Sequence, residues 1–161
     1  MTVQHDMKGV AIRNMRKGDL DVVSDLAMLA NPFAEKAKYR KHLEEELEEY
    51  PELAFVAFKG VSVVGYVMGD VRGSHATLED IAVDIVDQHH GIGTLLLKTE
   101  LEALQNTEAK IVVAEVHYKC ASAIPFYYKH GFRISGVCRN FFGMSHDAII
   151  LELILSKTER T

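Results

Sequence analysis

Residues 88–94 read QHHGIGT and bring two histidines and two glycines together in one short stretch. Three chemistries use such a cluster: a metal held by imidazoles, a phosphate cradled by main-chain amides, or a turn that binds nothing. None of the eight histidines forms a His-x-x-x-His pair or joins Cys120 or Cys138 at zinc spacing, so no metal site is expected. The glycines favour the cradle. A helix leaves its first amide hydrogens without internal partners, and its aligned peptide dipoles add positive potential at that end. Gly91 and Gly93 would let the main chain approach a pyrophosphate with no Cβ in the way, and the amides of residues 89–94 can point at its oxygens. The stretch lacks the Lys-Ser/Thr of a nucleoside triphosphate loop and the third glycine of the dinucleotide fingerprint, which argues against both.

A cradle of this kind needs a strand to deliver it and a helix to receive it. The run ATLEDIAVDIV predicts a strand continuing to Val86, with Thr77, Glu79, Ile81 and Val83 on one face and Leu78, Asp80 and Ala82 on the other. From Gly93 onward Leu96, Leu97, Leu101 and Leu104 recur at helical intervals, and residues 110–116 return to strand. Upstream, GVAIRNM from Gly9 predicts a first strand. A helix follows from Gly18-Asp19 to Asn31-Pro32, and a second over residues 34–50 carries Tyr39, Leu43 and Leu47 as its stripe. The run LAFVAFKGVSVVGYVMGDV reads as two strands joined at Lys59-Gly60. Downstream, ASAIPFYYKHGF predicts a short helix closed by Gly131, and FRISGVC and DAIILELIL complete a sheet. The order is mixed α/β.

At 161 residues and 48% hydrophobic content the chain is expected to form a single domain over residues 1–161. It has no apolar run of about 18 residues and no signal-peptide pattern at its start, so a soluble, cytoplasmic protein is expected, with no membrane partner. A net charge of −5 gives no general attraction to nucleic acid or anionic lipid. Two cysteines are too few for a disulfide framework, and reduced thiols are expected.

Gln88, Gly91 and Gly93 fit the pattern Arg/Gln-x-x-Gly-x-Gly/Ala, FVAFKGVSVVGYVMG looks like a central hairpin, and ASAIPFYYKHGF like a C-terminal helix and turn. With these three motifs in order the chain resembles the GNAT superfamily of N-acetyltransferases. ATLEDIAV, the AEV at Ala114, and GFRISGVCRNFF followed by DAIILEL are most similar to the N-terminal (α-amino) acetyltransferases, including the type that acts on ribosomal proteins. The resemblance implies a mostly antiparallel mixed sheet of about six or seven strands with about four helices, splayed at the cofactor site. Acetyl-coenzyme A is the implied cosubstrate. Its implied contacts are Ile81, Ala82, Val83, Gln88, His89, His90, Gly91, Ile92, Gly93, Thr94, Cys120, Ser122 and Tyr127. The reaction implied is direct attack of an amine on the thioester. Glu115 stands where related enzymes place a base, with Glu79 on the neighbouring strand as competitor, and Tyr127 aligns with the tyrosine that protonates the leaving thiolate.

Phe33, Phe141 and Phe142 are the implied substrate-binding side chains. The chain departs from the pattern at two places. Cys120 stands where an asparagine is common, and Phe141-Phe142 where a Tyr-Tyr pair often holds the substrate backbone. The favoured acceptor is the α-amino terminus of a protein or peptide. A polyamine, aminoglycoside or amino acid acceptor stays open, as does a non-catalytic module that senses coenzyme A, and the chain is expected as a monomer or homodimer.

Overall fold

The computed structural model describes the main chain of residues 2–7 and all of residues 9–156. The described residues fall into two compact units, those within residues 1–70 and 80–106 and those within residues 71–79 and 107–161. Two strands, β4 (Ser62–Arg72) and β5 (His75–Val83), pass through both.

In the first unit β1 (Thr2–Met7), β2 (Val10–Asn14), β3 (Ala54–Lys59) and β4 lie in that order, each antiparallel to its neighbour from β1 to β4. The sequence reading began its first strand at Gly9 and missed β1. Strand β1 pairs with β2 across Gly9, whose φ of +85° makes the turn that a side chain would resist. Helices α1 (Leu20–Ala30) and α2 (Lys36–Glu49) follow the expected limits closely. Asp19 secures the entry to α1, accepting two bonds from the Arg13 guanidinium at 2.7 and 2.9 Å and one from the Arg16 amide at 2.8 Å. Those bonds hold its carboxyl below the usual aspartate value although burial opposes them.

The core of this unit joins Leu20, Val23, Leu26 and Ala27 of α1 to Leu43 and Leu47 of α2 over Ala54, Val56, Tyr66 and Met68 of the hairpin. Helix α3 (Ile92–Leu104) buries Ile92, Leu95, Leu96, Leu97 and Leu104. Its Leu96 sits so close to Gly65 of β4 that a Cβ there would come within 3.1 Å of both Leu96 Cδ1 and the Ala82 carbonyl oxygen. Glycine at position 65 sets how near α3 comes to the sheet.

The second unit carries β6 (Ile111–His117), α4 (Ile124–Lys129), β7 (Arg133–Cys138) and β8 (Ala148–Ile154). Strand order is β5-β6-β8-β7, with β6 parallel to β5 and antiparallel to β8. Its core includes Ala76, Leu78, Val112, Ala114, Val116, Tyr127, Phe132 and Leu151. Strands and four α-helices in this mostly antiparallel arrangement are the mixed α/β architecture expected from the sequence. Among the described residues no helix is long and apolar enough to cross a membrane.

Candidate active site

In the first unit β5 ends at Val83, short of the expected Val86, because residues Ile85–Asp87 form a single 3-10 turn. Asp84 caps that turn through a bond from the Val86 amide at 3.4 Å, and Asp87 is pinned from β3 by the Lys59 ammonium. Gln88 donates its side-chain amide to the Val83 carbonyl at 2.9 Å, closing the turn on the strand it leaves. His89 and Gly91 both lie in the left-handed region, at φ +63° and +89°. Gly91 is the N-cap of α3, so the helix begins at Ile92, slightly before the glycine expected to open it. The first bond of the helical ladder runs from the Leu95 amide to the Gly91 carbonyl at 3.1 Å. The amides of Ile92, Gly93 and Thr94 lie ahead of that ladder, at the positive end of a thirteen-residue helix. His89, His90 and Gly91 are exposed around it. This is a main-chain surface suited to a diphosphate.

Upstream in the same unit a carboxylate is wholly enclosed. Asp80 of β5 accepts bonds from the Asn31 amide at 3.0 Å, the Tyr39 hydroxyl at 2.8 Å and the Tyr66 hydroxyl, and its own neighbour's amide, Ile81, donates at 3.1 Å. Burial pushes its pKa up to about 6, against the lowering effect of these donors. The network fastens the end of α1, at Asn31, to the strand leading into the turn. Phe33, two residues further on, is exposed. Sequence reasoning passed over this network, although the signal was present: Asp80 interrupts an apolar face otherwise made of Leu78 and Ala82. Glu100 likewise sits among the leucines of α3, fully buried with neither carboxyl oxygen hydrogen-bonded, and burial raises its pKa well above the ordinary glutamate value.

In the second unit the parallel β5–β6 ladder registers His75–Ile111, Ala76–Val112 and Thr77–Val113. Both strands run on past the last of these pairs, and β6 stays paired with β8 as far as His117–Ala148. Glu79 and Glu115 each stand two residues beyond the last β5–β6 pair, on the half-buried face of their strands. The two candidate bases therefore share a face, each two residues past the last β5–β6 pair.

Beyond β6, residues Tyr118–Ala123 make a 3-10 segment holding Cys120 and Ser122. Cys120 is half-buried, and burial raises its thiol pKa, which keeps it protonated and unsuited to nucleophilic attack. In α4, Tyr127 is buried edge-on to Phe126 and Phe132, with ring centroids 5.5 and 5.4 Å away. Tyr128 turns outward under the Arg133 guanidinium. Gly131, at φ +93°, closes the helix as its sequence position predicts. Phe141 and Phe142 project from the β7–β8 loop, half-exposed and edge-to-face at 4.9 Å.

Residues 20–132 match the model of the acetyltransferase (GNAT) family. The N-alpha-acetyltransferase of Sulfurisphaera tokodaii is 30% identical over 157 residues, covering 89% of this chain and 92% of that protein. The crystal structure of Ard1 from Thermoplasma volcanium superposes with a TM-score of 0.82 at 25% identity, covering 92% of this chain and 99% of that one. The ribosomal-protein-S18-alanine N-acetyltransferase from Escherichia coli gives 0.75 at 25% identity, covering 94% and 97%.

Proposed function

This chain belongs to the acetyltransferase (GNAT) family, and within it we propose an enzyme that transfers acetyl from acetyl-coenzyme A to the α-amino group of a protein or peptide N-terminus. The observation that carries the cofactor half of this reading is Gly91, held left-handed as the N-cap of α3, ahead of the first bond of the helical ladder. Acetyl-coenzyme A supplies the activated acyl group and a thiolate leaving group. Residues 88–94 would hold its diphosphate through main-chain N–H groups, with Ile81, Ala82 and Val83 along the strand that leads to them.

The acceptor must arrive as a free amine. An α-amino group has a pKa of about 7.7 to 8.0 against about 10.4 for a lysine side chain, so a carboxylate acting through water could suffice for the first. Glu115 takes that proton in our reading, with Glu79 as its competitor. Tyr127 gives a proton to the departing thiolate. A phenol is the weaker acid of the two, so its fixed, buried orientation matters more than its acidity. Phe33, Phe141 and Phe142 would line the acceptor. The N-alpha-acetyltransferase relative, similar along most of both chains, supports a peptide acceptor over a small amine.

The test is thiol release from acetyl-coenzyme A in the presence of peptides with varied first residues, polyamines and aminoglycosides. Peptides should be acetylated at their N-termini, and Tyr127→Phe and Glu115→Gln should each lower kcat about ten- to a hundredfold with acetyl-coenzyme A affinity within about twofold. Turnover of polyamines alone would move the acceptor to the small-molecule class. Absence of thiol release with every amine class, despite cofactor binding, would leave a coenzyme A sensor. A greater loss in Glu79→Gln than in Glu115→Gln would exchange the two glutamates' roles.

A further inference from the structure

His117 closes β6, and its two ring nitrogens face different parts of the second unit. Its Nδ1 accepts a bond from the Lys119 amide at 3.1 Å, which caps the 3-10 segment bearing Cys120 and Ser122. Its Nε2 lies 2.8 Å from Nδ1 of His146 in the β7–β8 loop. The first bond decides the second. An Nδ1 that accepts from an amide carries no proton, so neutral His117 carries its proton on Nε2 and donates it to His146. His146 must then present a lone pair at Nδ1. The imidazole ring is further enclosed by Tyr118, stacked at 4.8 Å, and by Phe142 at 5.4 Å.

The loop it holds is knit together internally. Asp147 and Asn140 accept from the Asn140 and Ser145 amides at 2.8 and 2.7 Å, and the Phe142 amide donates to the His146 carbonyl at 3.0 Å. Three of its residues, Asn140, Gly143 and Ser145, are left-handed. With its own amides so bonded, the loop's position depends on where it is attached. Its attachments to the end of β6 include the His117–His146 bond and the bond from the Tyr118 amide to the Asp147 carbonyl at 3.0 Å.

We propose that His117 is a positioning residue that fixes the Phe141-Phe142 loop through His146 while capping the Cys120–Ser122 segment, so that one ring sets the acceptor wall relative to a cofactor contact. This rests on the reading of those two segments given above. Both bonds require neutral rings. A proton on His117 Nδ1 ends the cap, and a proton on His146 Nδ1 ends the bond between the rings. Burial, His146 and Lys119 all hold His117 below the ordinary histidine value against the opposing charge of Asp147. The cap therefore persists to lower pH than a free imidazole would allow.

Two measurements on the full chain test this. Nitrogen-15 NMR of the histidine rings at pH 7.5 should show His117 protonated at Nε2 and coupled across the hydrogen bond to His146 Nδ1. In kinetics, His146→Ala should raise the KM of the acetylated peptide about five- to tenfold, the loss of one hydrogen bond, with kcat and the acetyl-coenzyme A KM within about twofold. His146→Asn, which keeps an acceptor oxygen near the place of Nδ1, should restore it. His117 protonated at Nδ1, or His146→Ala and His146→Asn with equal effects, would overturn the proposal. If no peptide is acetylated, the acceptor assignment fails while the ring coupling still decides the latch. In that event the amide signals of residues 119–122 and 140–147 should shift in His146→Ala and hold in His146→Asn.

Discussion

The turn from β5 to α3 and the loop from β7 to β8 are built from similar parts and fastened in opposite ways. Each contains left-handed residues, His89 and Gly91 in one, Asn140, Gly143 and Ser145 in the other. Each is closed by an aspartate accepting a main-chain amide, Asp84 from Val86 and Asp147 from Asn140. The first opens a thirteen-residue helix, with its left-handed residues exposed, whereas the second returns to a strand and exposes rings. The strand entering the first turn is held by Asp80, a carboxylate enclosed by two tyrosines and an asparagine. The second is held by a pair of imidazoles, His117 buried and His146 half-buried. Chemistry carried by the main chain needs a rigid, dry foundation, while chemistry carried by side chains tolerates an attachment that can let go. Acid should therefore act on the two anchors in opposite directions. It neutralises Asp80 and charges the His117 ring, which burial holds neutral to lower pH than an ordinary imidazole.

The largest effect should come from the first anchor. Burial raises the folded-state pKa of Asp80 to about 6, above the value of about 3.9 for an unfolded aspartate. Between those values the folded protein holds the proton more tightly, so this group's contribution to stability is full below about pH 4 and is lost as pH rises through 6, by about 3 kcal/mol. Asp80→Asn cannot titrate. Urea unfolding of both proteins at pH 4 and pH 7 should show the wild type losing about that much relative to the variant, and a difference independent of pH would place the ionised form in a solvated site.

A nearly equal effect is expected at Gly91. Valine there must adopt a left-handed backbone, at a cost of about 1–2 kcal/mol, and its branched side chain would project from the surface assigned to the diphosphate. Acetyl-coenzyme A affinity should fall at least about a hundredfold, about 2.7 kcal/mol, while the melting temperature drops by only a few degrees. The same exchange at Gly143, φ +117°, strains the chain alike with nothing within 4 Å of the added carbon. It should leave cofactor affinity within about twofold by calorimetry. Equal losses at the two glycines would erase the distinction between the two turns.

The same distinction decides what the sequence alone could reveal. The first turn was legible because a left-handed turn into a helix favours glycine: Gly91 and Gly93 mark it, and the leucine spacing of α3 marks the helix behind it. Its details were not, since Asp84 ended β5 early through a local cap that competes with the strand. Tyr127 could be told from Tyr128 only by helical geometry, and the structure turns Tyr127 inward as that geometry allows. The two anchors escaped because each depends on contacts between residues far apart in sequence. Asp80 meets Asn31, Tyr39 and Tyr66 from three other elements, and His117 meets His146 across 29 residues. Strand β1 was missed because its pairing with β2, and no periodicity of its own, makes it a strand.

The smallest expected effect tests the side-chain half of the contrast. In the related N-terminal acetyltransferases a Tyr-Tyr pair often occupies the place of Phe141-Phe142, and this chain keeps the ring shapes without the hydroxyls. Phe142 is about as exposed as its partner ring, at 42%, and packs against His117, so a hydroxyl at its tip adds a donor without emptying a packed space. One hydrogen bond to a peptide backbone contributes about 0.5–1.5 kcal/mol, so Phe142→Tyr should lower the peptide KM about two- to tenfold and leave the acetyl-coenzyme A KM unchanged. A matching fall in both constants would mean that the loop acts on the whole site. No change in either would separate the β7–β8 loop from the acceptor backbone and leave its rings to select the first side chain by shape alone.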